Sequence, residues 1–568
     1  MAAGNVAGGK TAAGAAGTGT AVGRTGRGRH DRTTDHAGTP DKTTAGAASA
    51  QVGGAGAGSS AVAATASAAG AAGVAGSAGM ASIAARNDSL VVEATITGLQ
   101  EALAEGRLTS RQLVLAYLER IARIDREGPA LNSILEINPD ALFIADALDI
   151  ERRRHGPRGP LHGIPVVVKD NIDTGDKMHT SAGSLALADS YASEDSFVAA
   201  QLRRAGAIVL GKGNMTEWAN FMTVNMPAGY SSRGGQVLNP YGPGKFTPGG
   251  SSSGSGASVA ASLVTAAVGT ETSGSILSPA SANSVVGIKP TVGLVSRYGI
   301  IPIMHTQDTA GPLARTVKDA AILLTVLVGV DERDPATLGS LGRTPEPLDY
   351  TRFLDSGALK GARLGVPRDL YEKLDADRMA LMNAAIEIMR REGAEVVDPV
   401  PLPAAKEKMD NVAMVYEFKP NLNAYLRRLG SNVPVHSLRE LIAFNLRRPE
   451  SLLKFGQTLL VEAESKSGTL TEPEYIRSLM RNLHLSTVRG IDAALDEYRL
   501  DALVVPGNYG AGIAARAGYP SVSVPGGYAP EGHPLGVTFT ARAYSEPALI
   551  RLAYAFEQAS KLRRPPAV

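Results

Sequence analysis

Three short apolar runs constrain this chain more than any other feature: IPVVV at 164–168, AIVL at 207–210 and ALVV at 502–505. They carry β-branched residues without polar alternation, the pattern of a strand buried on both faces of a sheet. Residues 99–123, 196–204, 314–328 and 380–391 read as helices. In 99–123 the residues Leu99, Leu103, Leu113, Tyr117 and Ile121 recur at near-helical spacing, with no proline to interrupt them. Strands alternating with helices predict an α/β architecture, one large sheet covered by helices.

Composition fits a folded body. The chain is 44% hydrophobic and 20% charged, enough to bury a core. Its 57 Lys and Arg against 55 Asp and Glu leave a net charge of +2, which argues against a surface built to hold nucleic acid or anionic lipid. The absence of cysteine excludes disulfides, thiolate metal ligands and a Cys nucleophile, so covalent catalysis has to use oxygen or nitrogen. Residues 89–568 read as a single domain, with no linker or repeat inside it.

Residues 1–88 are a different matter, being almost entirely small residues with a basic cluster at Arg24, Arg27, Arg29 and Arg32. So little large apolar surface does not offset backbone entropy, and a disordered tail is predicted. An export segment removed from the mature protein is one reading of the uncharged stretch 43–85. Its lack of a leucine-rich core and its frequent glycines favour a cytoplasmic chain with no membrane span. GNVAGGKT at 4–11 fits the phosphate-loop pattern, yet only three residues precede it and no strand can fix it, so it reads as chance.

The chemistry is concentrated in 248–290. Two Gly/Ser-rich loops, 249–256 and 270–275, flank a small-residue helical stretch at 257–267. Ala and Gly let backbones approach closely, and rigid loops with exposed amides and hydroxyls can stabilise an oxyanion. GSSSG at 250–254 also matches a nucleophile elbow centred on Ser252, with His305, His436, His484 and His533 downstream. That α/β-hydrolase esterase reading needs a buried strand before the serine, and the preceding segment 239–249 carries three prolines instead. A lysine can replace histidine as base where burial disfavours its ammonium. Lys169 closes the run 164–168, on the same face as Val167, and is a candidate, although many strand-end lysines merely snorkel.

Longer matches carry a resemblance. LHGIPVVVKDNIDT (161–174), PGGSSSGSG (248–256), GTETSGSI (269–276), GIKPTVGLVSRYGIIP (287–302) and QDTAGPLARTVKDAA (307–321), with AGYPSVSVPGG (517–527) and LAYAFEQAS (552–560), are similar to the amidase signature family over most of the chain after about residue 90. The resemblance implies the amidase signature fold, one large mixed sheet covered by helices on both faces. It also implies a Ser, cis-Ser, Lys triad: Ser275 as nucleophile, Ser251 as the bridging serine after a cis peptide bond, and Lys169 as base. Gly250 and Thr270 would support the triad. The main-chain amides of Thr272, Ser273, Gly274 and Ser275 would receive the oxyanion. No metal or organic cofactor is implied.

This sequence departs from the family loop in three places. The usual Asp is Glu271, a Gly is Ser273, and the Arg often found two positions beyond the nucleophile is Leu277, which disfavours a small acidic substrate held by a bidentate pair. TSAGSLAL (180–187), EWANF (217–221), SRGGQ (232–236), NPY (239–241), YEFK (416–419) and LIAFN (441–445) resemble bacterial peptide amidases. That resemblance implies a small amide or a C-terminally amidated peptide as substrate, a variable region at 400–480 walling the cleft, and a monomer or homodimer acting without nucleic acid. The alternatives are the glutamine-hydrolysing A-type subunit of a tRNA-dependent amidotransferase and a scaffold that has lost catalysis. Trp218, the one tryptophan, reads as core in preference to substrate contact. Glu217 is open between a substrate contact and a capping or surface role.

Overall fold

The computed structural model of the chain describes residue 85 and residues 87–568 except 408. The phosphate-loop match at 4–11 and nearly all of the tail lie outside the described residues. Contacts with the body reach back to Asp88, whose carboxylate pairs with Arg120 and, at 2.6 Å, with Arg123.

Thirteen strands appear among the described residues: β1 (Ile134–Ile137), β2 (Pro165–Lys169), β3 (Ile208–Gly213), β4 (Tyr230–Ser231), β5 (Gly235–Gln236), β6 (Ala266–Glu271), β7 (Val286–Lys289), β8 (Thr309–Ala314), β9 (Arg363–Gly365), β10 (Glu395–Val397), β11 (Ala502–Pro506), β12 (Ser521–Tyr528) and β13 (Pro534–Thr540). Eleven of them form one sheet in the order β1-β3-β2-β6-β8-β7-β12-β13-β11-β9-β10, while β4 and β5 make a separate hairpin. Pairing is mixed. The strands β3, β2 and β6 run parallel, as do β11, β9 and β10, and an antiparallel block from β6 to β11 joins the two groups. The three apolar runs of the sequence are β2, β3 and β11. Consecutive residues Val166, Val167 and Val168 are all fully buried, which requires cover on both faces of the sheet. Helices Ser253–Ala260, Leu277–Ala282, Val317–Leu327 and Glu546–Ser560 pack against it.

Three helix readings need correction. The stretch 99–123 is not one helix. Ile96–Ala104 stops before Gly106, which takes φ +70°, and a new helix Ser110–Arg120 starts on a reciprocal cap between Thr109 and Gln112 before a π-turn at Ile121–Arg126. A left-handed glycine and a Thr-x-x-Gln box outweigh the continuous apolar spacing. Within 314–328, Ala314 ends β8 and the helix Val317–Leu327 begins after the Thr316 cap. The small-residue stretch 257–267 is likewise divided: the helix is Ser253–Ala260, and Ala266 already belongs to β6. Its glycines allow that earlier start, since a Cβ on Gly254 would stand 2.2 Å from the Ser133 carbonyl oxygen and 2.4 Å from that of Asn214.

A second apolar cluster lies apart from the main core. Trp218, Phe221, Met222 and Ile303 pack with Phe418, Leu422, Leu441 and Leu460, drawing the helices of 412–464 onto one side of the molecule. Trp218 is 2% exposed, so it is core, as its type suggested. Glu217 is buried too, and is neither capping nor at the surface: its carboxylate accepts from the Ser232 amide at 2.7 Å and the Ser232 hydroxyl at 2.9 Å. Desolvation pushes its pKa up to about 7. No helix among the described residues is long and apolar enough to cross a membrane.

Candidate active site

The end of β2 projects Lys169 into the body, where its side chain is fully buried. Its amine lies 2.8 Å from Ser251 Oγ and 2.8 Å from Thr270 Oγ1, and 3.3 Å from the Thr270 carbonyl oxygen. Burial lowers its pKa from 10.5 to about 7, and the negative charges of Asp308 and Glu271 offset only part of that desolvation. Two other lysines are buried among the described residues, but Lys212 donates to the Ile172 carbonyl and Thr180, and Lys289 donates to the Tyr519 carbonyl. Of the three, Lys169 is the one that meets a serine.

Ser251 follows a cis peptide bond from Gly250. Its carbonyl accepts from the Thr216 amide at 3.0 Å, and its neighbour Ser252 donates its amide to the Ser275 carbonyl at 3.3 Å. The two serine-bearing segments are thereby tied together. Ser251 is fully buried, whereas Ser275 is partly exposed. Ser275 lines an open cleft of about 600 Å³ with Gly250 and the loop 272–274. A buried amine thus meets a buried hydroxyl, and Ser275, on the segment tied to it, is the serine that lines the open cleft.

The turn carrying Ser275 is held by a carboxylate. Glu271, at the end of β6, accepts from the amides of Gly274 at 2.7 Å, Ile276 at 2.7 Å and Leu277 at 3.1 Å. Of the four amides expected to face an oxyanion, that of Gly274 is therefore engaged with Glu271. The geometry leaves Thr272, Ser273 and Ser275. Gly274 itself takes φ +87°, a left-handed conformation that glycine adopts without strain. Removing the clamp is expected to matter for rate. Glu271→Ala leaves three amides without their acceptor, and kcat for amide hydrolysis should fall by about ten- to a hundredfold while the melting temperature drops measurably. Glu271→Gln, which retains one acceptor oxygen, should lie between.

Sequence reasoning missed the residues that hold this arrangement from behind. Asn171 Nδ2 donates to Thr270 Oγ1 at 3.0 Å, fixing the hydroxyl that the lysine amine also meets. Thr272 Oγ1 donates to Asp308 at 2.5 Å, and Asp308 accepts from the amides of Ile303 and Met304. Asn171 lies in the turn after β2, where strand alternation no longer places side chains, so the sequence held no local signal for it. For Asp308, distant in sequence, no local signal existed. The nucleophile-elbow alternative finds no support in the geometry: Ser252 Oγ is buried and donates to the Thr270 carbonyl at 3.0 Å, and no strand leads directly into it. Of its proposed partners, His533 stacks on Phe246 and His436 is partly exposed beside the Gly430 carbonyl.

The amidase family model matches residues 112–550. The chain belongs to the amidase family. This amidase is similar to the peptide amidase of Stenotrophomonas maltophilia, with 46% identity and a TM-score of 0.78 over 84% of this chain and 99% of that one. It is 43% identical to a probable amidase of Arabidopsis thaliana over 84% of this chain and 92% of the relative. A glutamyl-tRNA(Gln) amidotransferase component of the A type, from Alkalilimnicola ehrlichii, is 32% identical over 83% of this chain and 98% of its own length. The amidase is an amide hydrolase built on the mixed sheet and helical cover that its sequence implied.

Proposed function

We propose that this amidase removes the terminal amide of C-terminally amidated peptides and amino acid amides, releasing ammonia through an acyl-enzyme on Ser275. The observation that carries the reading is the 2.8 Å contact between Ser251 and a lysine amine whose pKa lies at about 7, behind a cleft open at Ser275. With Lys169 neutral, the Ser251 hydroxyl donates to the amine. Ser275 Oγ bonds to the amide carbon as its proton passes to Ser251 and the Ser251 proton passes to Lys169. The oxyanion faces the amides of Thr272, Ser273 and Ser275. The C–N bond breaks as the relay reverses and protonates the departing nitrogen. Water then attacks the ester by the same route, freeing the carboxylic acid and restoring Ser275.

The substrate class is supported by the similarity to the peptide amidase and by the cleft wall. Phe221, Val224, Met414, Val415 and Leu459 line it with apolar surface. Leu277 stands, buried, where an arginine would favour an acidic substrate. Ammonia release from the purified chain, measured on an amidated dipeptide and on glutamine, tests the reading. The expected result is a kcat/KM at least about tenfold higher for the dipeptide. Preference for glutamine overturns it in favour of the amidotransferase role.

A further inference from the structure

Beside the cleft lies a second cavity of about 470 Å³, and the two adjoin at Asn411 and Met414, which line both. The hydrolytic mechanism uses none of its polar groups. Arg516, near the end of the helix Ala511–Ala517, lines one side. Its guanidinium donates to the Gly512 carbonyl at 2.8 Å, the Asp410 carbonyl at 3.0 Å and Asn411 Oδ1 at 2.7 Å, all oxygens of uncharged groups. A guanidinium has five N–H donors, so two remain unspent among the described residues. The cation is close to the nucleophile loop: a Cβ on Gly512 would lie 3.0 Å from Arg516 Nη1 and 3.9 Å from Ser273 Oγ.

Asn482 lines the same cavity and is 5% exposed. Its amide nitrogen donates to the Asp410 carbonyl at 3.1 Å, but its Oδ1 is buried and accepts from nothing among the described residues. Buried acceptors in folded proteins almost always find a donor, so an orphaned one calls for a ligand group or water. Unspent guanidinium donors on the wall of this space suit the C=O of a peptide unit, and Asn482 shares the Asp410 carbonyl with Arg516, which positions the guanidinium. The surrounding Ala413, Met414, Leu479 and Leu483 leave apolar room for side chains.

We infer that this cavity holds the part of an amidated peptide upstream of the reacting residue, with Arg516 donating to a main-chain carbonyl oxygen and Asn482 positioning the guanidinium through the Asp410 carbonyl that both contact. The inference rests on the peptide-amide reading above and deepens it: the enzyme selects chains of several residues over single amino acid amides. The test compares kcat/KM for an N-acetylated tetrapeptide amide with that for the N-acetyl amide of its last residue alone, in the full chain and in Arg516→Met and Asn482→Leu. The wild type should prefer the tetrapeptide by at least about tenfold, chiefly through KM. Each variant should lower that ratio by about three- to tenfold. Because the ratio cancels any loss of correctly folded enzyme, a damaged variant does not mimic the result. A wild-type ratio near one, or a ratio untouched in both variants, overturns the inference while peptide amides remain substrates. Failure to hydrolyse either peptide, with glutamine turned over, overturns the peptide-amide reading itself.

Discussion

Ser275→Ala is expected to lower kcat for amide hydrolysis by at least about ten-thousandfold, leaving only the background that binding and oxyanion stabilisation provide. The fold should be unaffected, because Ser275 is partly exposed at the cleft and its structural tie to the Ser251 segment runs through its carbonyl, not its hydroxyl. Ammonia release and a thermal melt on the same sample check both halves. The variant should also lose the covalent adduct that a fluorophosphonate forms with the wild type, read as a mass shift on the peptide containing residue 275. Near-normal turnover in this variant would remove Ser275 from the chemistry.

Lys169→Met carries the second large effect, a fall in kcat of about a thousandfold or more, since the relay loses its proton acceptor. The pH profile identifies the cause. In the wild type only the neutral amine accepts a proton, so kcat/KM should rise with pH through an apparent pKa of about 7 and level off above it. The methionine variant should lose that limb. Stability gives an independent reading. The folded state of the wild type holds Lys169 at about 7 against 10.5 when free, so between those values the unfolded chain binds a proton that the folded chain does not. Unfolding free energy therefore gains a contribution that grows as pH rises through this window and is absent below it. The melting temperature of the wild type should rise relative to Lys169→Met from pH about 7 to about 10.5, and a flat difference would place the amine in contact with water.

Much of this was legible locally. The run 164–168 marked a strand buried on both faces because it lacks polar alternation, and Lys169 at its end was a candidate for desolvation because the strand before it is apolar. The loops around Ser251 and Ser275 were recognisable through the resemblance of segments 248–256 and 269–276 to the family's own. Less legible were boundaries set by single residues. Apolar spacing carried the reading of 99–123 straight through Gly106, although a left-handed glycine followed by a Thr109 cap decides the break. In 257–267 a run of Ala, Val and Ser is compatible with helix and strand alike. The choice fell to close packing at Gly254 and to the pairing of Ala266 with Val166 and Ala314.

The amino-acid sequence by itself determined the α/β class and the resemblance to a family of amide hydrolases, and it was that resemblance that pointed to Lys169, Ser251 and Ser275, since a resemblance reads residue type and order along the chain. Only the tertiary structure decided that Glu271 takes up the Gly274 amide, that Asn171 and Asp308 brace the loop, and that Arg516 and Asn482 face one cavity. The reason is physical. Hydrogen-bond partners and desolvation are set by what lies within a few ångströms in space, and here the partners come from segments as far apart as residues 169 and 270, 272 and 308, or 410 and 516.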